Sequence, residues 1–308
     1  MSRPPLLFVH AHPDDETLTT GLTMAHYVRA GHPVHVLTCT LGEEGEVIPP
    51  DLLHLDAAHD DALGPHRAGE LSRAMAALGT TWEVLGADPG RGVLSRYRDS
   101  GMAGTPSAAN PAAFVNADPA EAADLVAAVV RSLRPAAVVT YDAQGGYGHP
   151  DHIQTHRVTC AAVASLPAHE QPPLYAVLTP QSWAREDREW LAAHPELTVG
   201  WSVPPVDGEY PPSVVADPWV THAVQDPQAL PVQREALSQH VTQVTVRGDV
   251  YALSNDIAAR LPGREGFARL DPRTGSIAGT ATAAADPAGA VGAAHRAGRV
   301  AGLLDGSS

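Results

Sequence analysis

The sequence predicts an α/β fold: a Rossmann-like, mostly parallel sheet with helices on both faces, plus a smaller C-terminal α+β portion. Two observations support this prediction. Short apolar runs alternate with helical patterns through residues 1–180, and such alternation is typical of parallel strands joined by crossover helices. The chain has 308 residues, which is long enough for one large α/β domain or two small ones.

The first unit of this pattern is a strand, a helix and a second strand. Residues 6–10 (LLFVH) form a short apolar run, which predicts a buried strand. A helix is predicted over residues 17–31, where apolar side chains recur on one face and Gly31 is placed to end the helix. Residues 34–39 predict the second strand. The two strands of such a βαβ unit are parallel.

The alternation continues beyond this unit. Asp118 is placed as a helix N-cap, with Pro119 at the first helical position and Glu121 in the first turn. Residues 86–117 are rich in Gly, Pro, Ser and Asn, and we expect them to form a long ordered loop. The other elements predicted here are helices over residues 67–78, 119–133 and 153–166, and strands over residues 81–86 and 136–141.

Three regions are predicted along the chain. Residues 1–180 form the Rossmann-like core that carries the functional loops, and residues 181–275 form a C-terminal portion packed on that core. Within the second region, residues 228–240 and residues 250–261 each predict a helix. Residues 276–308 are rich in Ala and Gly, and we expect them to be mobile.

The composition excludes several classes of partner. The formal net charge is −15 and no run of Arg is present, so a nucleic-acid ligand, which needs a basic face, is not expected. No stretch approaches the ~18 apolar residues of a membrane span, and no apolar segment predicts a signal peptide. Cys39 and Cys160 are isolated thiols in apolar stretches, which suits a cytoplasmic protein.

Two loops concentrate the polar chemistry of the chain. The first has the sequence HPDDE (residues 12–16), the second has the sequence HPDH (residues 149–152), and each follows a predicted strand. In an open α/β sheet, ligands bind beyond the carboxyl ends of the strands. We therefore expect the two loops to meet at one edge of the sheet, with three histidines and four acids between them.

These loops contain the residue types of a catalytic metal site. Catalytic zinc keeps three protein ligands, commonly His and carboxylate, and leaves one position open. His12 and Asp15 are close enough in sequence to bind the same ion, and Asp14 lies between them as the natural general base. Spacing leaves the third ligand open among three histidines of the second loop and its helix: His149, His152 and His156.

A group of the second loop that does not bind metal could face the oxyanion that develops during hydrolysis. His149 and Tyr147 are the two candidates for this role. Asp151, next to them, is expected to orient a histidine ring.

Other interpretations of these motifs are weaker. A single HPDD turn often marks only a helix start, and Asp15 could then be a simple N-cap, but two such loops at strand ends argue for a functional site. Both cysteines lie in the expected core, and no GxSxG elbow is present for a serine nucleophile. The GEEGE and QGGYG stretches lack the spacing of a dinucleotide-binding turn.

The two loops also carry a resemblance to a known family. AHPDDE after an apolar strand, followed later by HPDH, resembles the LmbE-like zinc deacetylases of N-acetylglucosaminyl compounds. The resemblance covers residues 5–260 and implies a metal-dependent hydrolase of a carbon–nitrogen bond that is not a peptide bond. Further stretches resemble the branch that acts on an N-acetylglucosaminyl-inositol in mycothiol biosynthesis: TCTLGEEGEVI, RDSGMAGT, YDAQGGYGHPDH, HVTQV and ALSN.

The resemblance implies a metal set and a base. His12, Asp15 and His152 would bind one zinc ion per chain, although ferrous iron suits the same donors equally well. Asp14 would be the general base and could also return the proton to the leaving amine.

The resemblance also implies roles around the metal set. His149 would stabilise the tetrahedral oxyanion, and Tyr147 would assist it from a mobile loop. Arg67 and Asp99 match positions that hold the sugar hydroxyls. The implied partner is a small amino-sugar and inositol substrate, and no oligomeric state is predicted.

Two alternative functions remain at this point. A mycothiol S-conjugate amidase, or another LmbE-like acyl-sugar amidase, would use the same machinery. In the amidase the first loop is followed by Ser and Lys, whereas Thr17, Leu18 and Thr19 follow it here. A catalytically inactive sugar-binding or zinc-binding protein would have no need for Asp14 between two ligands. Both differences favour the deacetylase.

Overall fold

A central eight-stranded sheet organises the computed structural model, which describes residues 3–278 and 299–304. The strands of the described residues are β1 (Leu6–His10), β2 (Val34–Thr38), β3 (Thr81–Val84), β4 (Ala137–Thr140), β5 (Leu174–Val177), β6 (Thr179–Pro180), β7 (Val214–Val215), β8 (His222–Gln225), β9 (Thr245–Arg247), β10 (Val250–Ala252), β11 (Ala259–Arg260), β12 (Arg264–Arg269) and β13 (Val300–Ala301). The α-helices are α1 (Asp15–Arg29), α2 (Leu63–Leu78), α3 (Pro119–Leu133), α4 (Gly145–Gly148), α5 (Pro150–Ala164), α6 (Gln181–Ala193) and α7 (Leu230–Leu237).

The strands of the central sheet lie in the order β3-β2-β1-β4-β5-β12-β8-β13. Neighbouring strands are parallel except at β12, which is antiparallel to both β5 and β8. The mostly parallel sheet predicted from the sequence is therefore confirmed. Two smaller sheets accompany it: β9, β10 and β11 pair antiparallel, and β6 pairs with β7.

Helices cover both faces of the central sheet. Leu7 and Val9 of β1 pack in an apolar layer with α3 and α5, whereas Leu6 and Phe8 pack on the opposite face with α1, α2 and α7. All four side chains are fully buried. A strand covered on both faces is apolar at every position rather than at alternate ones, which is why LLFVH is a continuous apolar run.

The helices predicted in the first half of the chain are confirmed, but several begin earlier than the apolar pattern indicates. Helix α2 begins at Leu63 instead of Arg67, and α5 begins at Pro150 instead of Ile153. The start of α5 has a local cause. Pro150 occupies the first helical position, and His149 Nδ1 accepts a hydrogen bond from the backbone N–H of Asp151 at 3.2 Å.

The prediction for residues 250–261 is wrong, because this segment forms β10 and β11 rather than a helix. Strands β9 and β10 are joined by a two-residue turn, Gly248-Asp249, in which Gly248 has a φ of 61°. A Gly-Asp turn between β-branched runs is a hairpin signal. Of residues 228–240 only the α7 portion is helical, and α6 was not predicted.

The central sheet takes strands from both sides of residue 180. The boundaries at residues 180 and 275 therefore stay predictions. The expected mobility of residues 276–308 falls largely outside the described residues; among those described, β13 pairs with β8. Residues 86–117, all of which are described, contain 3-10 turns and isolated bridges but neither an α-helix nor a strand.

No helix among the described residues is long and apolar enough to cross a membrane. Cys39 and Cys160 are both buried free thiols, as their apolar surroundings in the sequence predict.

Candidate metal centre and active site

The two polar loops meet at one edge of the central sheet. Strands β1 and β4 are parallel neighbours, so the loops that leave their carboxyl ends start side by side. The first loop leads into α1, and the chain after β4 passes through α4 before the second loop opens α5. The sheet topology thus brings together residues that are almost 140 positions apart, as His12 and Asp151 are.

Three side chains from these loops form a compact triangle. His12 Nδ1 lies 3.1 Å from Asp15 Oδ2, Asp15 Oδ2 lies 3.2 Å from His152 Nε2, and His152 Nε2 lies 3.3 Å from His12 Nδ1. Ligand atoms about 2.0–2.1 Å from a tetrahedral zinc ion lie about 3.3–3.4 Å from one another. The spacing and the chemistry of these donors therefore fit a single divalent ion.

Neighbouring groups orient the two histidine rings of the triangle. His12 Nε2 lies 3.3 Å from Asp151 Oδ2 and 3.4 Å from Asp99 Oδ1, and His152 Nδ1 lies 3.1 Å from the carbonyl oxygen of Gly145. A metal-binding histidine usually donates its other ring N–H to such an oxygen. These contacts leave Nδ1 of His12 and Nε2 of His152 as the ring atoms that could bind a metal ion, and Asp151 contacts a histidine ring as expected.

The other two histidines occupy different places. The His156 ring bonds to the carbonyl oxygen of Tyr141 at 2.8 Å through Nδ1, and its Nε2 lies 3.8 Å from Cys160 Sγ. His149 lies beside the triangle. One ring nitrogen from each of His149, His12 and His152 lies within 4.8 Å of the other two. Since His149 Nδ1 accepts the N–H of Asp151, its Nε2 is the atom left for a ligand.

Asp14 has an unusual backbone conformation, with φ 116° and ψ −37°. Positive φ at a non-glycine residue costs about 1–3 kcal/mol and persists where the surroundings impose it. Asp14 occupies the N-cap position of α1, but its side chain makes no capping bond. Asp15 is the first helical residue, and its carboxylate accepts from His12 N–H at 3.0 Å. The simple N-cap interpretation of Asp15 is therefore wrong, and the Asp14 carboxylate is free of a capping role.

The electrostatics of Asp14 and His149 differ from those of exposed groups. Burial raises the pKa of the Asp14 carboxyl to about 6, although the Arg67 guanidinium, 3.3 Å away, opposes the shift. Burial, with the rings of His12 and His152 nearby, lowers the pKa of His149 to about 3. A neutral His149 ring carries one N–H. Because Nδ1 acts as an acceptor, that N–H is on Nε2.

Arg67 and Asp99 are both buried in the wall of the site. Arg67 donates to the carbonyl oxygens of Gly42, at 2.8 Å, and Pro13, so it connects the loop after β2 to the first metal loop. Asp99 accepts from the backbone N–H of Glu44 at 3.2 Å and lies against His12. The structure places both residues at the site, and their contact with sugar hydroxyls stays a prediction.

Tyr147 stands at the entrance of the site. It is 53% exposed, and its ring centroid lies 5.0 Å from that of His152 and 6.1 Å from that of His149. It follows two glycines with positive φ, Gly145 and Gly146, so its loop is built on backbone that only glycine adopts readily.

Sequence reasoning missed two features of the site. The Tyr141 ring stacks on His152 with centroids 4.3 Å apart, and its hydroxyl accepts a hydrogen bond from the N–H of Ala11 at 2.9 Å. The sequence could have indicated this residue, because it is an aromatic at the end of the predicted strand before the second loop. His240 bonds Glu16 from a distant segment, and no periodicity or spacing connects these two positions.

Comparisons with known proteins identify the family of this chain and several relatives. The family model described as "PIG-L: GlcNAc-PI de-N-acetylase" matches residues 7–163. A protein of Rhodococcus opacus (strain B4) is 49% identical over 280 residues, which cover 87% of this chain and 91% of that protein. A protein of Thermobifida fusca (strain YX) is 45% identical over 282 residues, which cover 88% and 95%. Both are named 1D-myo-inositol 2-acetamido-2-deoxy-alpha-D-glucopyranoside deacetylase.

Solved structures resemble the chain more distantly. The zinc-inhibited form of teicoplanin deacetylase Orf2 is 19% identical, with a TM-score of 0.48 over 77% of this chain and 84% of that one. This likeness is too remote to support a functional argument.

Proposed function

The chain belongs to the GlcNAc-PI de-N-acetylase (PIG-L) family of hydrolytic N-deacetylases, and from this premise we propose that it removes the acetyl group of an N-acetylglucosaminyl-inositol in mycothiol biosynthesis. The substrate is taken from the names of relatives that share 44–49% identity over most of the chain. The observation that carries the proposal is the uncapped carboxylate of Asp14 beside the triangle of His12, Asp15 and His152.

His12, Asp15 and His152 would hold one zinc ion, and ferrous iron suits the same donors. When bound, the ion supplies Lewis-acid polarisation of the amide carbonyl and lowers the pKa of water to about 7. The chain's own contribution is to fix the ligand atoms, through Asp151 and Asp99 on His12 and through Gly145 on His152.

Asp14 would accept a proton from the attacking water and would then deliver a proton to the leaving amine. His149 would donate a hydrogen bond from Nε2 to the oxyanion that forms from the acetamide carbonyl. Tyr147, at the entrance, would assist from its loop. Cleavage of the carbon–nitrogen bond would then release acetate and the free amine of the sugar.

The surroundings of the site suit a polyhydroxylated substrate. A cleft of about 620 Å³ is lined by the loop after β2 and by the loop after β10. Its polar groups are carboxylates and a hydroxyl, which accept hydrogen bonds from sugar hydroxyls: Glu44, Glu46, Asp56, Ser254 and Asp256. Glu44 also touches Asp99 through its backbone N–H. Arg67 and Asp99 would hold the hydroxyls nearest the acetamide.

A cytoplasmic location is part of this proposal. Cys39 and Cys160 are buried and unpaired, which suits a reducing compartment.

The proposal is tested by acetate release from the N-acetylglucosaminyl-inositol, measured with metal-free and zinc-reloaded protein beside a bimane-labelled mycothiol conjugate. Zinc-dependent turnover of the acetylated sugar, with little turnover of the conjugate, is the expected result. Turnover of the conjugate instead would assign the amidase function to the same site. Turnover of neither substrate by zinc-bound protein would reject the proposed activity.

A further inference from the structure

The conformation of Asp14 requires an external restraint, because φ 116° is unfavourable for an aspartate. Its backbone N–H donates to Glu16 Oε2 at 3.0 Å, and the carbonyl oxygen of the same peptide, that of Pro13, accepts from Arg67. The carbonyl oxygen of Asp14 accepts from the N–H groups of Thr17 and Leu18, which continue the helix. The direction of the Asp14 side chain therefore depends on where the Glu16 carboxylate is held, together with the Arg67 guanidinium, which lies 3.3 Å from Asp14 Oδ1.

Glu16 is fully buried, and its two carboxylate oxygens have different hydrogen-bond partners. Oε2 accepts from Asp14, whereas Oε1 accepts from the Thr17 hydroxyl at 2.6 Å and lies 3.1 Å from His240 Nε2. Thr17 is the next residue along α1, so among the described residues His240 is the hydrogen-bond partner that reaches Glu16 from outside the metal loop and its helix. A buried carboxylate depends strongly on such partners, since removing one leaves an uncompensated charge.

His240 is itself fully buried, and it lies in the segment between α7 and β9. Its Nδ1 has no hydrogen-bond partner in the part of the chain that the structure describes, so the contact with Glu16 orients the ring. The segment is anchored independently by Thr242, whose N–H and hydroxyl donate to Glu70 of α2 at 2.9 and 2.7 Å. The carbonyl oxygen of Thr242 also accepts from Ile48 at 2.9 Å.

We propose that His240 is a positioning residue for the catalytic base: through Glu16 it holds the Asp14 backbone in the conformation that directs the carboxylate into the site. The inference rests on the proposed function in that Asp14 is the base. His240 and Glu16 are 224 positions apart in the sequence. The inference therefore links the catalytic rate to a residue that lies more than 220 positions along the chain from the base. The C-terminal portion of the chain would thereby influence the reaction without contacting the substrate.

The test replaces His240 with glutamine or asparagine, whose side-chain amides lie at different distances from the backbone. In His240→Gln the amide nitrogen can occupy about the place of Nε2 and still donate to Glu16, whereas the shorter side chain of His240→Asn cannot. His240→Asn is expected to lower kcat by about 10- to 100-fold, the cost of a misplaced catalytic group, with KM and zinc content unchanged. His240→Gln should retain most of kcat. His240→Leu, which has no donor, is a second loss variant should the first fold poorly.

Thr242→Val provides the matched control, because it removes the hydroxyl bond to Glu70 in the same segment, keeps the backbone N–H bond to Glu70 and does not touch Glu16. It should lower the thermal unfolding midpoint while leaving kcat near that of the wild type. If His240→Asn and His240→Leu kept wild-type kcat, or if His240→Gln fell as far as they did, His240 would have only a structural role and the inference would be wrong.

Hydrogen–deuterium exchange of the peptide covering residues 12–18 separates this inference from the proposed activity. Exchange in that peptide should be faster in His240→Asn than in the wild type and unchanged in Thr242→Val, whatever the substrate is. A wild-type protein that does not turn over the acetylated sugar would reject the proposed function alone. Unchanged exchange in His240→Asn and His240→Leu would reject the positioning role alone.

Discussion

The two loops of the site are built in opposite ways. The loop after β1 holds a strained aspartate, Asp14, which is fixed by buried groups: Glu16 of the same loop, and Arg67 and His240 from two other segments of the chain. The loop after β4 has glycines with positive φ at three of four successive positions, and it exposes the aromatic side chain of Tyr147. Buried, hydrogen-bonded side chains therefore surround the proposed base and the two proposed metal ligands of the first loop, whereas glycine-rich backbone forms the entrance.

The largest expected effect concerns the ligand that connects the two loops. His152→Ala should abolish both zinc binding and turnover, because it removes one corner of the triangle. His156→Ala is the matched control on the same helix. Its ring bonds the Tyr141 carbonyl oxygen instead, so zinc content should stay at one ion per chain. Metal analysis after dialysis distinguishes the two, and equal loss from both variants would contradict the assignment.

Gly145→Ala should disturb the same corner without changing a ligand. A Cβ at Gly145 would lie 2.7 Å from the Cβ of His152 and 2.8 Å from the backbone nitrogen of Ile153. Zinc should therefore bind more weakly, as measured by competition with a chelator. An unchanged affinity would mean that the second loop tolerates displacement more easily than the packing indicates.

The next effect concerns the base. Asp14→Asn should lower kcat by about 10²- to 10⁴-fold, the usual contribution of a placed acid–base group, and should leave zinc bound. Asn is preferable to Ala here because it tolerates positive φ better, so the backbone strain is not a second variable. Turnover and zinc content are measured on the same samples, and a variant that loses zinc but keeps its rate per bound zinc would exclude the role.

His149 belongs to the second loop, and its proposed role as an oxyanion donor requires precise placement of its ring. His149→Asn should lower kcat by about 10²- to 10³-fold, the cost of removing one oxyanion donor, while Asn still caps α5. His149→Ala should lose the cap as well, which destabilises the protein by about 1 kcal/mol. Comparing kcat with the free energy of unfolding for both variants separates catalysis from capping. Equal activity of His149→Asn and the wild type would show that another group holds the oxyanion.

The sequence predicted the parts of the site that depend on strand order and missed those that depend on tertiary packing. The two loops follow buried strands, and the rule for open α/β sheets places them together. Spacing could not choose between His152 and His156, because one helix turn separates them. The structure distinguishes them, since His152 faces Asp15 and His12 whereas His156 bonds the Tyr141 carbonyl oxygen. Nothing in the sequence connects His240 with Glu16, since no motif, periodicity or spacing includes both residues.

The smallest expected effect tests the freedom of the second loop directly. Gly146 has φ 75° and ψ −61°, which costs an L-residue about 1–3 kcal/mol, yet a Cβ there would meet no atom within 4 Å. In Gly146→Ala the exposed loop should relax, shift Tyr147 and lower kcat by less than about tenfold, or ~1.4 kcal/mol, with zinc content unchanged. Gly92→Ala, which also has a positive φ and free space, should leave turnover unaffected. A loss in Gly146→Ala as large as in Asp14→Asn would show that the entrance needs the same precision as the base, and the contrast between the two loops would not hold.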